Sequence, residues 1–331
     1  MFRLLILLLP SLFFQANAQP GHILKGKTIC LDPGHGGTAD TDHYRVGPAG
    51  EREEWINLRV AVILKELLRE RGARVVMTRE TDIAVALEDR ARTAHDAGAD
   101  LFLSIHHNAT ADSSVNFPII YFHGHACENL ASVELGRQLG QAFRRKLYIQ
   151  GTPADRLTLA SDHTIFPTAG ASVLRNTYGI PAVIAEASFF SNPGEERRLK
   201  SEAYNRLEAE AYLEAIEAYF SGPGLMIYPK HALVPPIPPF RVFQEAERMT
   251  PVARRWKEDF EEALRLLQTA QPDSMQRAYE LFTRSASSFP DSYVAQKCHE
   301  YRSLLLATWG KTGESEIEAV RAREFYVRVT D

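Results

Sequence analysis

From Lys27 to about Phe220, short apolar runs alternate with longer stretches of helical period, and this alternation narrows the possible folds most. The strand-like runs are Thr28–Leu31, Arg74–Thr78, Asp100–Ile105, Ile119–Phe122 and Ala182–Ala185. Between them the spacing predicts helices over Glu54–Arg71, Val85–Ala97, about Asn129–Leu147 and about Glu202–Phe220. In the first of these, Ile56, Val60, Ile63, Leu64 and Leu67 share one side, and Gly72 is the stop; Gly98 closes the second. Such strands cannot pair as hairpins across intervening helices. They imply an α/β fold, a mostly parallel twisted sheet with helices on both faces.

The ends of the chain read differently. "MFRLLILLLPSLFFQANAQ" has one early cation, Arg3, an apolar stretch from Leu4 to Phe14, and Ala16-Asn17-Ala18 before Gln19. This is the pattern of a secretory signal peptide over residues 1–18, with an uncleaved anchor as the alternative; a membrane span needs about 20 apolar residues. No later segment is long and apolar enough to span, so the mature chain is expected to be exported, to the periplasm or cell envelope, without a membrane span. A net charge of -4 carries no basic face of the kind that nucleic acids or anionic membranes attract.

Residues 19–220 are expected to form one domain. Residues 221–245 form a linker, with prolines at 223, 229, 235, 236, 238 and 239. Residues 246–331 form a small all-α domain. There Ala278, Phe282, Ser285 and Pro290 have the spacing of the second helix of a tetratricopeptide-like hairpin, and Leu264, Leu266 and Leu267 could belong to the first. A plain helical tail is the alternative. Cys30, in an apolar strand, reads as a small core residue. Cys127 and Cys298 could pair or stay free, and nothing here has zinc-finger spacing.

Parallel sheets place their sites at the carboxyl edge. Three strands end there in groups able to bind metal or move protons: Asp32 and His35 after the first, His106 after the third, and Glu186 after the fifth. Glu53 opens the first helix. Two imidazoles and one carboxylate suit a catalytic Zn2+ that leaves a position for water, and Glu186 would then serve as its base. The glycines of "LDPGHGG" let the chain turn sharply so that His35 can reach over the edge.

The stretches "LDPGHGG", "REEWINL", "TRETDIAVALEDRARTAHDAGADLFLSIHHNA" and "VLRNTYGIPAVIAEASFFSNPGEE" strongly resemble the zinc-dependent N-acetylmuramoyl-L-alanine amidases, which trim bacterial cell walls. The resemblance implies His35, Glu53 and His106 as zinc ligands and Glu186 as the catalytic glutamate. It implies peptidoglycan as substrate, cleaved at the amide between N-acetylmuramic acid and L-alanine. It also aligns Arg175 with an arginine of the family; Arg175 and Asn108 are taken as substrate-contacting residues, although Arg175 could equally be a surface ion-pair partner. Two features depart from the family: Glu53-Glu54 where Glu-Lys is usual, so that alignment to Leu58 favours Glu53, and His107, which strand alternation should turn away from the metal.

Other functions compete with this one. "GHGGTA" matches a dinucleotide-binding pattern but is followed by "DTDHYRVGPAGE", a loop where that pattern needs a helix. His123 and His125 could form a second metal pair on one strand face, or line the groove. An inactive wall-binding or regulatory protein, and a zinc peptidase acting within the stem peptide, remain the competing classes. The helical tail is expected to recruit a protein partner or control location, so that deleting 241–331 would leave catalysis intact. Residues 148–172 are expected to form a loop beside the groove, the place for a blocking segment.

Overall fold

A computed structural model describes residues 23–38, 45–148 and 156–329. The signal segment over 1–18 lies outside the described residues. Among the described residues, seven strands form one sheet in the order β2-β1-β3-β6-β4-β5-β7. They are β1 (Thr28–Pro33), β2 (Arg74–Met77), β3 (Leu101–Asn108), β4 (Ile119–Phe122), β5 (Thr158–Ser161), β6 (Ala182–Phe189) and β7 (Tyr326–Val327). The sheet is mostly parallel, as the alternation implies: β2, β1, β3 and β6 run together, and β4 runs parallel to β5. The pairs β4–β6 and β5–β7 are antiparallel. Hence the carboxyl ends of β4 and β5 emerge at the edge opposite those of β1, β3 and β6.

The helices are α1 (Glu53–Glu70), α2 (Leu87–Asp96), α3 (Leu130–Lys146), α4 (Ser172–Asn176), α5 (Pro193–Leu199), α6 (Glu202–Ser221), α7 (Glu245–Arg248), α8 (Trp256–Leu267), α9 (Pro272–Ser288), α10 (Ala295–Thr308) and α11 (Thr312–Glu324). Strand alternation sorts the core into two faces. On one, Ile29, Leu31, Leu103, Ile105, Ile120 and Val183 pack under α1, α3 and α6 through Ile56, Val60, Leu64, Leu139, Phe143 and Tyr212. On the other, Cys30, Phe102, Ile119, Tyr121 and Ile184 share a cluster with Val173 and Leu174 of α4 and with Trp256, Phe260, Phe282 and Phe289 of the tail. Each large side chain so buried contributes roughly 1.5–3 kcal/mol.

The tail therefore roofs the second sheet face. Its four long helices form two hairpins, α8–α9 and α10–α11, and Ala278, Phe282 and Ser285 are all buried on α9. β7 then joins the sheet beside β5, with Ser161 N donating to the Phe325 carbonyl at 2.8 Å. The proline-rich stretch is pinned: Glu128 accepts from the backbone amides of His231, Leu233 and Val234 at 2.8–3.1 Å.

One expectation needs correction, and one open alternative is decided. Residues 148–172 are not one loop: Tyr148 donates to the Ala187 carbonyl at 2.7 Å and Thr158 opens β5 level with Ile119, the partner of Glu186, so the segment starts beside the His35 edge, then runs through β5 and a 3-10 turn at Asp162–Thr164 to the far edge and the start of α4; residues 149–155 lie outside the described residues. The cysteines Cys30, Cys127 and Cys298 are all free, Cys298 because it is enclosed in the tail cluster. Among the described residues, no helix is long and apolar enough to cross a membrane.

Candidate metal centre

Parallel pairing aligns Pro33 with Ile105 and His106 with Glu186, so the ends of β1, β3 and β6 form one ledge. The chain leaves β1 through a turn in which His35 itself takes the left-handed conformation (φ 57), followed by Gly36 and Gly37 at φ 118 and 67. Left-handed backbone is costly for a histidine and is held here from outside. Arg90 donates to the carbonyls of Pro33 (3.0 Å) and His35 (2.6 Å), while Arg79 donates to those of Pro33 and Gly34 (both 2.9 Å). Gly34 serves by lacking a side chain, since a Cβ there would fall 2.1 Å from the His106 ring. Asp32 is a strut: it accepts from Arg90 at 2.7 Å, Thr78 at 2.6 Å and Ser104 at 2.7 Å.

Three side chains converge above this ledge. Glu53 Oε1 lies 3.1 Å from His35 Nε2 and 2.9 Å from His106 Nδ1, and the two imidazoles stand edge to face with centroids 4.7 Å apart. One candidate ligand atom from each lies within 4.8 Å of the others. Of the two adjacent glutamates only Glu53 meets the histidines; Glu54 turns to Arg52, 3.0 Å away. Burial would raise the Glu53 carboxyl, but the His35 and His106 imidazoles outweigh it and hold it well below the usual range.

Glu186 sits beside His106 in register, and its Oε2 is buried without a hydrogen-bond partner. Burial and the nearby Glu53 charge push its carboxyl up to about 8; His35 and His107 oppose this and Asp291 adds to it. Two crowded carboxylates, two imidazoles and an unpartnered buried oxygen suit a divalent cation, whose charge would relieve the repulsion.

Residues 29–218 match the family described as N-acetylmuramoyl-L-alanine amidase. The chain belongs to this family. It is 33% identical over 198 residues to the probable cell wall amidase LytH of Staphylococcus epidermidis, covering 60% of each chain. It thus spans about 60% of the length of that relative. Among solved structures it is similar to the amidase AmiC2 of Nostoc punctiforme (TM-score 0.50, 25% identity, 59% of this chain and 98% of that one). It is also similar to the CwlD amidase of Clostridioides difficile, solved in complex with the GerS lipoprotein (TM-score 0.51, 26% identity, 59% and 98%).

The remaining residues of this amidase-family chain fall as follows. Asn108 stands on the ledge beyond a β-bulge between His106 and Asn108, its Oδ1 accepting from Ala109 N at 2.8 Å. Bulges re-aim side chains next to sites. Arg175, expected near substrate, lies before the start of β6 and donates to the carbonyls of Ala169 (3.1 Å) and Gly170 (3.3 Å). The chain runs from there along the length of β6 to reach Glu186, which puts Arg175 at the opposite edge. His107 turns away as alternation requires, its Nδ1 2.9 Å from Asn57 Oδ1 and its Nε2 3.1 Å from Glu208 Oε2. His123 and His125 diverge into two separate groups.

Sequence reasoning missed Asn57, Glu208, Arg79 and Arg90. Asn57, Arg90 and Glu208 lie on helices, where spacing alone signals a solvated face, and Arg79 lies just past the end of β2, where it reads as a loop cation. Arg45 was missed too; its Nε lies 3.7 Å from Glu53 Oε2.

Proposed function

We propose that this chain hydrolyses the amide between the lactyl group of N-acetylmuramic acid and the L-alanine of peptidoglycan stem peptides, with Zn2+ as cofactor, in the cell envelope. The observation that carries it is the meeting of His35, Glu53 and His106 with an unpartnered, buried Glu186 alongside. His35, Glu53 and His106 would hold the ion, which supplies Lewis-acid polarisation of a carbonyl and a more acidic water when bound. Glu186 accepts a proton from the attacking water, then returns it to the amine nitrogen as the C–N bond breaks. Burial and the Glu53 charge raise the Glu186 carboxyl in the metal-free site, and a bound cation would draw it back down, toward the range in which a group both takes and gives protons. Asn108, on the same ledge, is positioned to contact the stem peptide.

The division into a signal segment (1–18), catalytic region (19–220), linker (221–245) and helical region (246–331) belongs to the same reading, with the helical region as the surface for a protein partner. The lipoprotein complex of the CwlD amidase supports partner binding in this family without identifying one here.

The test is mass spectrometry of muropeptides after incubation with and without a chelator. Muramic acid freed of its peptide, lost on chelation, is the expected product; shortened peptides would indicate a peptidase instead. Glu186→Gln should keep its zinc and lose about 10²–10⁴-fold in rate. Zinc binding by the unaltered protein with no release from sacculi would point to a wall-binding protein.

A further inference from the structure

Opposite the ledge, the parallel pair β4–β5 ends at Phe122 and Ser161, which are partners in register. The residues that follow, His123 and Asp162, are therefore delivered side by side. Ser161 caps the 3-10 turn by accepting from His163 N at 3.3 Å, and Thr164 Oγ1 donates back to the Ser161 carbonyl at 2.8 Å. This fixes Asp162 inward, fully buried, with its Oδ2 2.8 Å from His123 Nδ1 and accepting from Ala171 N at 2.7 Å. The His163 ring stands 5.3 Å from that of His123.

We infer that His123, Asp162 and His163 form a second divalent-metal site, of the zinc-binding type, independent of the one proposed for catalysis. One candidate ligand atom from each of the three lies within 4.8 Å of the others. Two imidazoles and a carboxylate are a donor set suited to Zn2+ or a similar transition metal. A second observation points to a missing ligand: Asp162 Oδ1 is buried and has no hydrogen-bond partner. Leaving a buried carboxylate oxygen unpaired is costly, and such an atom calls for a cation or donor. Gly170 keeps the space open, since a Cβ there would lie 2.5 Å from Asp162 Oδ2 and 2.7 Å from His123 Nδ1.

The neighbouring group His125, Glu128 and His231 is less suited, because Glu128 already spends both oxygens on three backbone amides of the linker. Lys230 offers a rival counter-charge for Asp162; its ammonium lies 4.8 Å over the Tyr178 ring, itself 5.6 Å from His123. The role of an ion here would be structural. His163 stacks on Phe325 of the tail at 5.6 Å, directly before β7, so the ion would brace the place where the tail enters the sheet.

The experiment uses the full chain with His35→Ala and His106→Ala, which removes the proposed catalytic ligands, and measures bound metal by mass spectrometry and by Co2+ absorption. One equivalent should remain, and adding His163→Ala should abolish it. His163 is only half-buried, so its replacement spares the fold; an unchanged metal-free melting curve checks this. Asp162→Asn should act likewise. No metal in the double variant at micromolar Zn2+ would overturn the site and leave Lys230 as the counter-charge. An equivalent unaffected by His163→Ala would also overturn it. Failure of the catalytic zinc reading would appear separately, as one equivalent in the unaltered chain that persists in the double variant.

Discussion

Arg90 links the buried carboxylate of Asp32 to the loop that carries His35: Nη1 lies 2.7 Å from Asp32 Oδ1, and Nη2 donates to the His35 carbonyl at 2.6 Å. Burial would raise Asp32, but Arg90, Thr78 and Ser104 together bring it below the ordinary aspartate value. A depressed carboxylate contributes stability that is present above its unfolded pKa of about 3.9 and is lost as pH falls through its folded value. Acid below about pH 4 should therefore loosen the His35 loop. Asp32→Asn leaves the Arg90 guanidinium buried without its counter-charge, which should cost roughly 3–5 kcal/mol at neutral pH. It should also flatten the acid limb of the melting-temperature profile. An unaltered limb in that variant would remove Asp32 from the acid response.

Asn57 is the hinge of a buried polar chain. Its Nδ2 donates to Glu53 Oε1 at 3.2 Å and to the Gly34 carbonyl at 3.3 Å, while its Oδ1 faces His107, which in turn reaches Glu208. Burial would lower His107, but the Glu208 carboxylate raises it, so the ring is favoured as a charged donor at both nitrogens. Asn57 thus orients Glu53 without touching a metal itself. Asn57→Ala should weaken zinc binding by about 10–100-fold, the usual penalty for losing such a partner. Competition against a chromogenic chelator measures this, and equal affinities would show that Glu53 needs no such support.

Asp291 brings the tail to the electrostatics of Glu186. It accepts from Tyr121 Oη, and its charge is among those that raise Glu186. A general base must be ionised, so activity should climb as pH passes through the Glu186 pKa. Removing the Asp291 charge lowers that pKa and should move the acidic limb of the kcat/KM profile to lower pH. Asp291→Asn still accepts from Tyr121, and Tyr121→Phe, which keeps the Asp291 charge, should not produce the downward shift. A limb that stays in place in Asp291→Asn would show that the tail does not tune Glu186.

Much of this layout was legible in the chain. The runs around Ile29, Leu103, Ile120 and Val183 mark strands because their apolar residues must fill both faces of a covered sheet, and the ledge that gathers His35, His106 and Glu186 follows from running those strands parallel. The direction of β4 could not be read, since a period of two has no sense of direction. That reversal sends His123 to the far edge. β5 was missed because "TLAS" is short and only half apolar, and β7 because two residues cannot declare a strand without the tail to deliver them. Glu208, in α6, looks like any solvated helix glutamate until the fold buries it against His107.

The tail was expected to be separable, and its packing argues otherwise. Trp256, Phe260, Phe282 and Phe289 lie in one cluster with Ile119, Tyr121, Ile184 and Phe189 of the sheet. Phe117 joins the two halves through rings 5.3 Å from Phe189 and 5.9 Å from Phe289. Deleting residues 241–331 would also strip β7 from β5, exposing an open strand edge beside an apolar face, a combination that favours aggregation. Loss of several large buried side chains, each worth roughly 1.5–3 kcal/mol, exceeds what a marginally stable domain can absorb. The truncated chain should therefore bind a hydrophobic dye, melt without a cooperative transition and sediment as aggregates. Phe282→Ala, a milder version, should cost roughly 3–5 kcal/mol and lower the single melting transition of the whole chain. A truncated protein that stays monomeric and melts like the parent would establish the tail as an independent unit resting on a self-sufficient sheet.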